Sequence, residues 1–291
     1  MTDKWAGARG LARALEAFAG QVYFAPECHR RYEELGFSGS PKTTRDGVEQ
    51  PDGVAYFCSR GSMMGQVSGE VIAAAFAVFN PAVVVPAVTR GWEVADAATI
   101  GQARTSGAIE QLHRILGPSP DGVSRALELL HKATDGLPVA GKPLFAGVVA
   151  RGLPGEPLGD AWRLADRLRE YRGDVHINAW TGLGYDGAEI GVLTEPYWGI
   201  PRRTYVRGRA WTQEELDAAE SRLESRGLMS GGTATEKGMA EREAIERATD
   251  EGCAAIERNL GDDLDELVAL LKPWSKQIAD AGGYPGKSPL A

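Results

Sequence analysis

Arg172-Gly173-Asp174-Val175-His176 is the densest run of chemistry-bearing side chains in the sequence. An arginine can hold an anion, a carboxylate can orient an imidazole, and an imidazole titrates near neutral pH. Together they suit acid–base work on an anionic substrate. The spacing predicts a helix break here. Arg172 ends one helix, Asp174 caps the next, and His176 sits in its first turn with Trp180 four residues on, on the same face. The plainer alternative is that Asp174 is only a cap and Arg172 only a salt-bridge partner.

Two further clusters join this one. In Tyr23-Phe24-Ala25-Pro26-Glu27-Cys28-His29, Glu27 falls in the first turn of a helix, where its charge suits the dipole. A Glu27/His29 metal pair lacks further ligands, so no metal site and no cofactor is expected. Cys28 reads as a buried thiol. In Tyr56-Phe57-Cys58-Ser59-Arg60-Gly61-Ser62-Met63-Met64-Gly65, Arg60 lies among adaptable methionines, with Phe76, Phe79 and Asn80 ahead. For the Phe and Met residues core packing competes. Read as a site, His176, Asp174 and Glu27 would be the acid–base groups. Arg60 and Arg172 would hold an anionic group, and Tyr23, Phe79, Asn80 and Trp180 would complete a pocket for a partly apolar anion. No dinucleotide fingerprint, phosphate loop, HExxH, GxSxG or CxxC occurs.

The positioning elements read as mainly helical. Helices are expected from about Asp3 to Ala19, from Pro26 to a Gly36 stop, over Gly69–Phe79 under a Ser68 cap, and from Pro81. More follow over Val94–Leu116 and over 121–134 capped by Asp121. Val54–Cys58 reads as a strand and Ser38–Gly53 as a surface loop. The Pro/Gly-rich stretch Gly136–Pro143 is the best boundary, dividing a helical domain over 1–136 from a second over 137–291. Beyond it, helices over Leu158–Tyr171, Val175–Leu183 and Gly187–Leu193 lead to a basic, aromatic segment, Pro196–Arg209. The end is helical over Glu236–Arg258 and Asp262–Ile278, then a frayed tail.

Between them, Trp211–Gly238 reads as helix, Gly227 stop, Gly-rich hairpin, helix, with a Thr212/Glu215 capping box. That is the order of a winged helix, a fold used to read DNA. Yet Trp211–Arg258 holds 12 acidic and 6 basic residues, and the hairpin tip Ser230-Gly231-Gly232-Thr233 carries no cation. A polyanion is repelled by such a surface, so DNA is disfavoured as a partner. Arg202, Arg203, Arg207 and Arg209 are the exception. They can meet phosphates, neutralise the acidic helix or bind an anionic ligand.

With a net charge of −8 over 291 residues, 43% of them hydrophobic, the chain has the composition of an ordinary globular protein. Val71–Val88 is broken by Asn80, Pro81 and Pro86, which argues against a membrane span. Three scattered cysteines and the absence of a leader pattern place it in the cytoplasm. The chain resembles an actinobacterial helix-turn-helix family. The resemblance rests on Val22–Glu27, Tyr56-Phe57 with Ser59-Arg60, Phe79-Asn80-Pro81, Leu168–His176 and Trp211–Gly238, and departs at Cys28-His29. The last segment is similar to MarR-type regulators. This implies a helical N-terminal part and a C-terminal winged helix with a small β wing. The reading is a small-molecule-binding protein or enzyme; the alternative is a ligand-responsive DNA-binding regulator, and a homodimer through the wing is a third use of the segment.

Overall fold

The computed structural model describes residues 7–42, 44–45 (backbone only) and 47–285. Helices dominate. The first two are α1 (Gly7–Gly20) and α2 (Pro26–Glu34), the latter with Pro26 in its first turn and followed by Gly36 at φ 101°. The start expected near Asp3 lies outside the described residues. A short antiparallel pair, β1 (Thr44–Arg45) and β2 (Val48–Glu49), sits within the expected loop, and Val48 is buried.

Val54–Cys58 is not a strand. It belongs to α3 (Gly53–Gly61), because the Asp52 carboxylate accepts from the Ala55 N–H at 3.0 Å and starts a helix there. A short apolar run cannot by itself tell a strand from a buried helix turn. Next come α4 (Gly69–Phe76), α5 (Pro81–Val94), α6 (Ala97–Leu116) and α7 (Val123–Thr134). Asn80 and Asp96 cap α5 and α6 with their side chains. Ser68 makes no side-chain cap bond to α4, and Gly122, not Asp121, caps α7, at φ 80°.

After α8 (Pro143–Ala150) comes the longest helix, α9 (Pro157–Thr181). The break expected at Arg172–Asp174 is absent: α9 runs straight through Gly173. A mid-helix glycine costs only about 1 kcal/mol. That is readily offset here, because Trp162, Leu164, Leu168, Tyr171 and Val175 are all buried along α9. Residues 175–181 are therefore the end of α9, not a separate helix.

Then follow α10 (Gly187–Tyr197), α11 (Gln213–Ser225), the hairpin β3 (Met229–Ser230) with β4 (Thr233–Ala234), and α12 (Glu236–Gly252). The Thr212/Glu215 capping box forms and Gly227 takes φ 72°. The helix expected over Glu236–Arg258 divides at Cys253 into α12 and α13 (Ala254–Leu260), and the last expected helix is α14 (Leu264–Asp280). The tail does not fray as far as residue 285. Tyr284 is buried, donates to Glu16 Oε1 at 2.7 Å and packs edge-on against Phe24.

Three apolar clusters result. The largest draws on α1, α2, α6, α7, α9, α13 and α14, on both sides of position 136. A second joins the end of α9 to α10, α11, β3 and α12, and a third sits among α3, α4, α5 and Leu144. No helix among the described residues is long and apolar enough to cross a membrane.

Candidate ligand cavity

The three clusters leave a cavity of about 550 Å3 between them, within the range of small-molecule sites. Glu16 of α1, Tyr23, Tyr56, Phe57 and Phe79 form one side. Arg169, Arg172 and His176 come from α9, Ile190 and Thr194 from α10, and Arg242 and Glu246 from α12. The segment between α10 and α11 supplies Trp198, Tyr205, Arg207 and Arg209, and Tyr284 adds a further ring.

The cations fall into two kinds. Arg169 bonds Glu16 at 3.3 Å and Glu170 at 3.0 Å; Arg172 bonds Glu246 at 2.9 Å and Asp250 at 3.2 Å; Arg242 bonds Glu246 at 2.7 Å. These arginines are thus already matched by carboxylates, and Arg60 and Arg169 hold Glu170 down to about 2 against the upward push of its own burial. Arg207 and Arg209 have no carboxylate partner among the described residues. The Arg209 guanidinium stacks 4.8 Å from the Phe79 ring centre and 4.5 Å from that of Tyr205, and its Nε has no partner. Burial would raise the Tyr205 hydroxyl, but the Arg209 charge outweighs it, so that phenol is more acidic than usual.

His176 lines the cavity as a neutral ring. Burial, reinforced by the charges of Arg242 and Arg172 against the pull of Glu246, drives its pKa down to about 3. Thr249 Oγ1 donates its proton to Ile245 O at 2.8 Å. The 3.0 Å contact from His176 Nδ1 to that oxygen must therefore be Nδ1–H donating. Nε2 is left as a hydrogen-bond acceptor.

The nine residues singled out from the sequence separate. Tyr23, Phe79, Arg172 and His176 come together at this cavity. Asp174 does not orient His176. Two residues apart on one unbroken helix, they point to different sides, and Asp174 Oδ2 accepts from the Phe145 N–H of α8 at 2.9 Å. It caps a helix, though not the one expected, and burial raises its pKa to about 7. Glu27 is held by Arg114 at 2.5 Å, away from the cavity. Arg60 bonds Glu170 at 2.7 Å and lies over Phe76. Asn80 caps α5 and donates to Glu215 at 2.9 Å, and Trp180 is core. Among the described residues no group of three metal-binding side chains occurs.

The sequence marks Arg209 only within a basic run that can bind an anionic ligand, and gives no place in the site to Tyr205, Arg242, Glu246 and Thr249. The last three had a signal, since positions 242, 246 and 249 share one helix face. The basic run divides its duties. Arg203 bonds Asp217 at 2.8 Å and Glu220 at 2.6 Å, and Arg202 bonds Glu220 at 2.6 Å, neutralising α11. Arg207 and Arg209 turn to the cavity instead.

The profile of a helix-turn-helix family matches residues 8–285, nearly the whole chain, and the chain belongs to that family. No curated protein and no solved structure shows significant similarity to it.

Proposed function

We propose that this helix-turn-helix protein binds a small aromatic anion in the cavity between α1, α3, α9, α10 and α12. The observation that carries the reading is Arg209: a guanidinium packed over two aromatic rings, lining the cavity, with no carboxylate to neutralise it. A carboxylate or phosphate supplies the missing charge, and the surrounding rings take the aromatic body. Nε2 of His176 asks for a ligand O–H or N–H. With its proton affinity so low, and with Asp174 and Glu27 elsewhere, His176 is a binding group rather than a general base. Titration with 6-hydroxy-2-naphthoate tests this. Saturable binding is expected, and none for the cationic 6-hydroxy-2-naphthylmethylammonium; equal binding of both would overturn the reading.

Family membership favours a second reading, in which helix, hairpin and helix over Trp211–Gly252 act as a winged helix on DNA, as MarR-type proteins do, with the cavity as its sensor. Three features stand against it. Arg202 and Arg203 are already paired to α11, and Arg222 is paired to Glu189 at 2.9 Å and to Asp186. Residues 198–212 separate α10 from α11, where a DNA-reading helix pair has a turn of about three or four residues. A gel shift against duplex DNA separates the readings: a complex that dissolves steeply with salt establishes the second, and no complex at low salt removes it.

A further inference from the structure

A second cavity, of about 450 Å3, shares no residue with the first. It lies between α6 and residues 151–156, and Arg163 of α9 lines it from within, 2% exposed. Arg163 lacks a full counter-charge. The only carboxylate within ion-pair reach among the described residues, Asp166, is bonded through both oxygens, at 3.0 and 3.1 Å, to the fully buried Arg104. Arg163 Nη1 is left 3.5 Å from Asp166 Oδ2 and turned to the weak acceptor Met63 Sδ. Its Nη2 donates to Thr105 Oγ1 at 2.6 Å, and its Nε has no partner. Two buried guanidiniums thus share one carboxylate, an arrangement that costs free energy until a further anion arrives. Burial and the neighbouring Arg104 charge lower the Arg163 proton affinity, to about 10, so the group stays charged at neutral pH.

The rim carries matching groups. Arg151 is exposed, donates to the carbonyls of Ser62 and Met63, and has no carboxylate partner among the described residues. Ser106 Oγ accepts from Gln102 at 3.2 Å, which leaves its own proton to give. Glu156 also lines the cavity, but it is engaged in capping α9 through the N–H groups of Leu158 and Gly159.

We propose that this cavity is a second binding site, for a small-molecule oxyanion of the phosphate or carboxylate type. Arg163 and Arg151 hold the charge and the Ser106 hydroxyl donates to it. The test is thermal unfolding and calorimetric titration of the full chain with inorganic phosphate, with succinate and with chloride at matched ionic strength. The expected result is saturable stabilisation by phosphate or succinate beyond that of chloride, the stronger anion naming the group recognised. Arg151→Gln, an exposed change, weakens that binding by about tenfold, as losing one charge-assisted contact does. Arg90→Gln, an exposed change that lines neither cavity, leaves it unchanged. The proposal is overturned if neither anion acts beyond chloride, if Arg151→Gln binds the anion as tightly as the parent, or if Arg90→Gln weakens binding equally.

Discussion

Asp174 shows how burial decides what a residue does. Its carboxyl accepts the Phe145 N–H, yet burial lifts its pKa from 3.8 to about 7. The folded protein therefore holds a proton there that the unfolded chain releases. A raised pKa stabilises fully below the unfolded value, and the contribution disappears as pH rises through the folded one. Asn mimics the protonated form and keeps an acceptor for Phe145. Asp174→Asn should match the parent protein in urea unfolding near pH 4 and exceed its stability near pH 8.5 by about 1 kcal/mol or more. A gap of the opposite sign at the higher pH would show that the charged form is the favoured one. His176 works the other way: its pKa falls from 6.5 to about 3, so its contribution is lost as pH drops below about 6.5. Sequence marked both residues as unusual because each sits in a run of charge. It could not show that their side chains diverge, since that depends on α9 continuing through Gly173.

At the scale of elements, the cavity depends on how α10 meets the turn between α4 and α5. Gly187 opens α10 with no room for a side chain: a Cβ would press into the Ala77 carbonyl oxygen and lie 3.2 Å from Val78 Cα. Beside it Trp211 Nε1 donates to Val78 O at 2.9 Å, and the Asn80 N–H donates to Arg209 O at 2.9 Å. This seam fixes the backbone of Arg209 against the α4–α5 turn. Gly187→Ala should cost about 1–3 kcal/mol by overpacking backbone against backbone, and it should also weaken naphthoate binding. Full affinity in that variant would show that the seam does not set the cavity. Most helices were legible from apolar spacing, from caps such as Thr212 and from stops such as Gly227. The failures have physical causes. Short apolar runs such as 54–58 fit either period, and the gain from burying α9 outweighs its internal glycine.

Across the whole molecule, charge is partitioned. The chain carries a net charge of −8, yet five arginines and two glutamates line the first cavity. Composition alone points away from anions; the fold gathers positive charge where three apolar clusters meet. It also sends half of one basic run, Arg202 and Arg203, to quiet the acidic face of α11 and the other half, Arg207 and Arg209, inward. The sequence offered neutralisation of α11 among the uses of that run and had no means of seeing that only half of it turns that way. We propose that Arg209 is held without a carboxylate partner so that an anionic ligand takes that place. Calorimetric titration of 6-hydroxy-2-naphthoate into the parent protein and into Arg209→Gln tests it most directly. The expected result is saturable binding by the parent and affinity weaker by about tenfold or more in the variant; no binding by the parent, or equal affinity in the two, would contradict that role for Arg209.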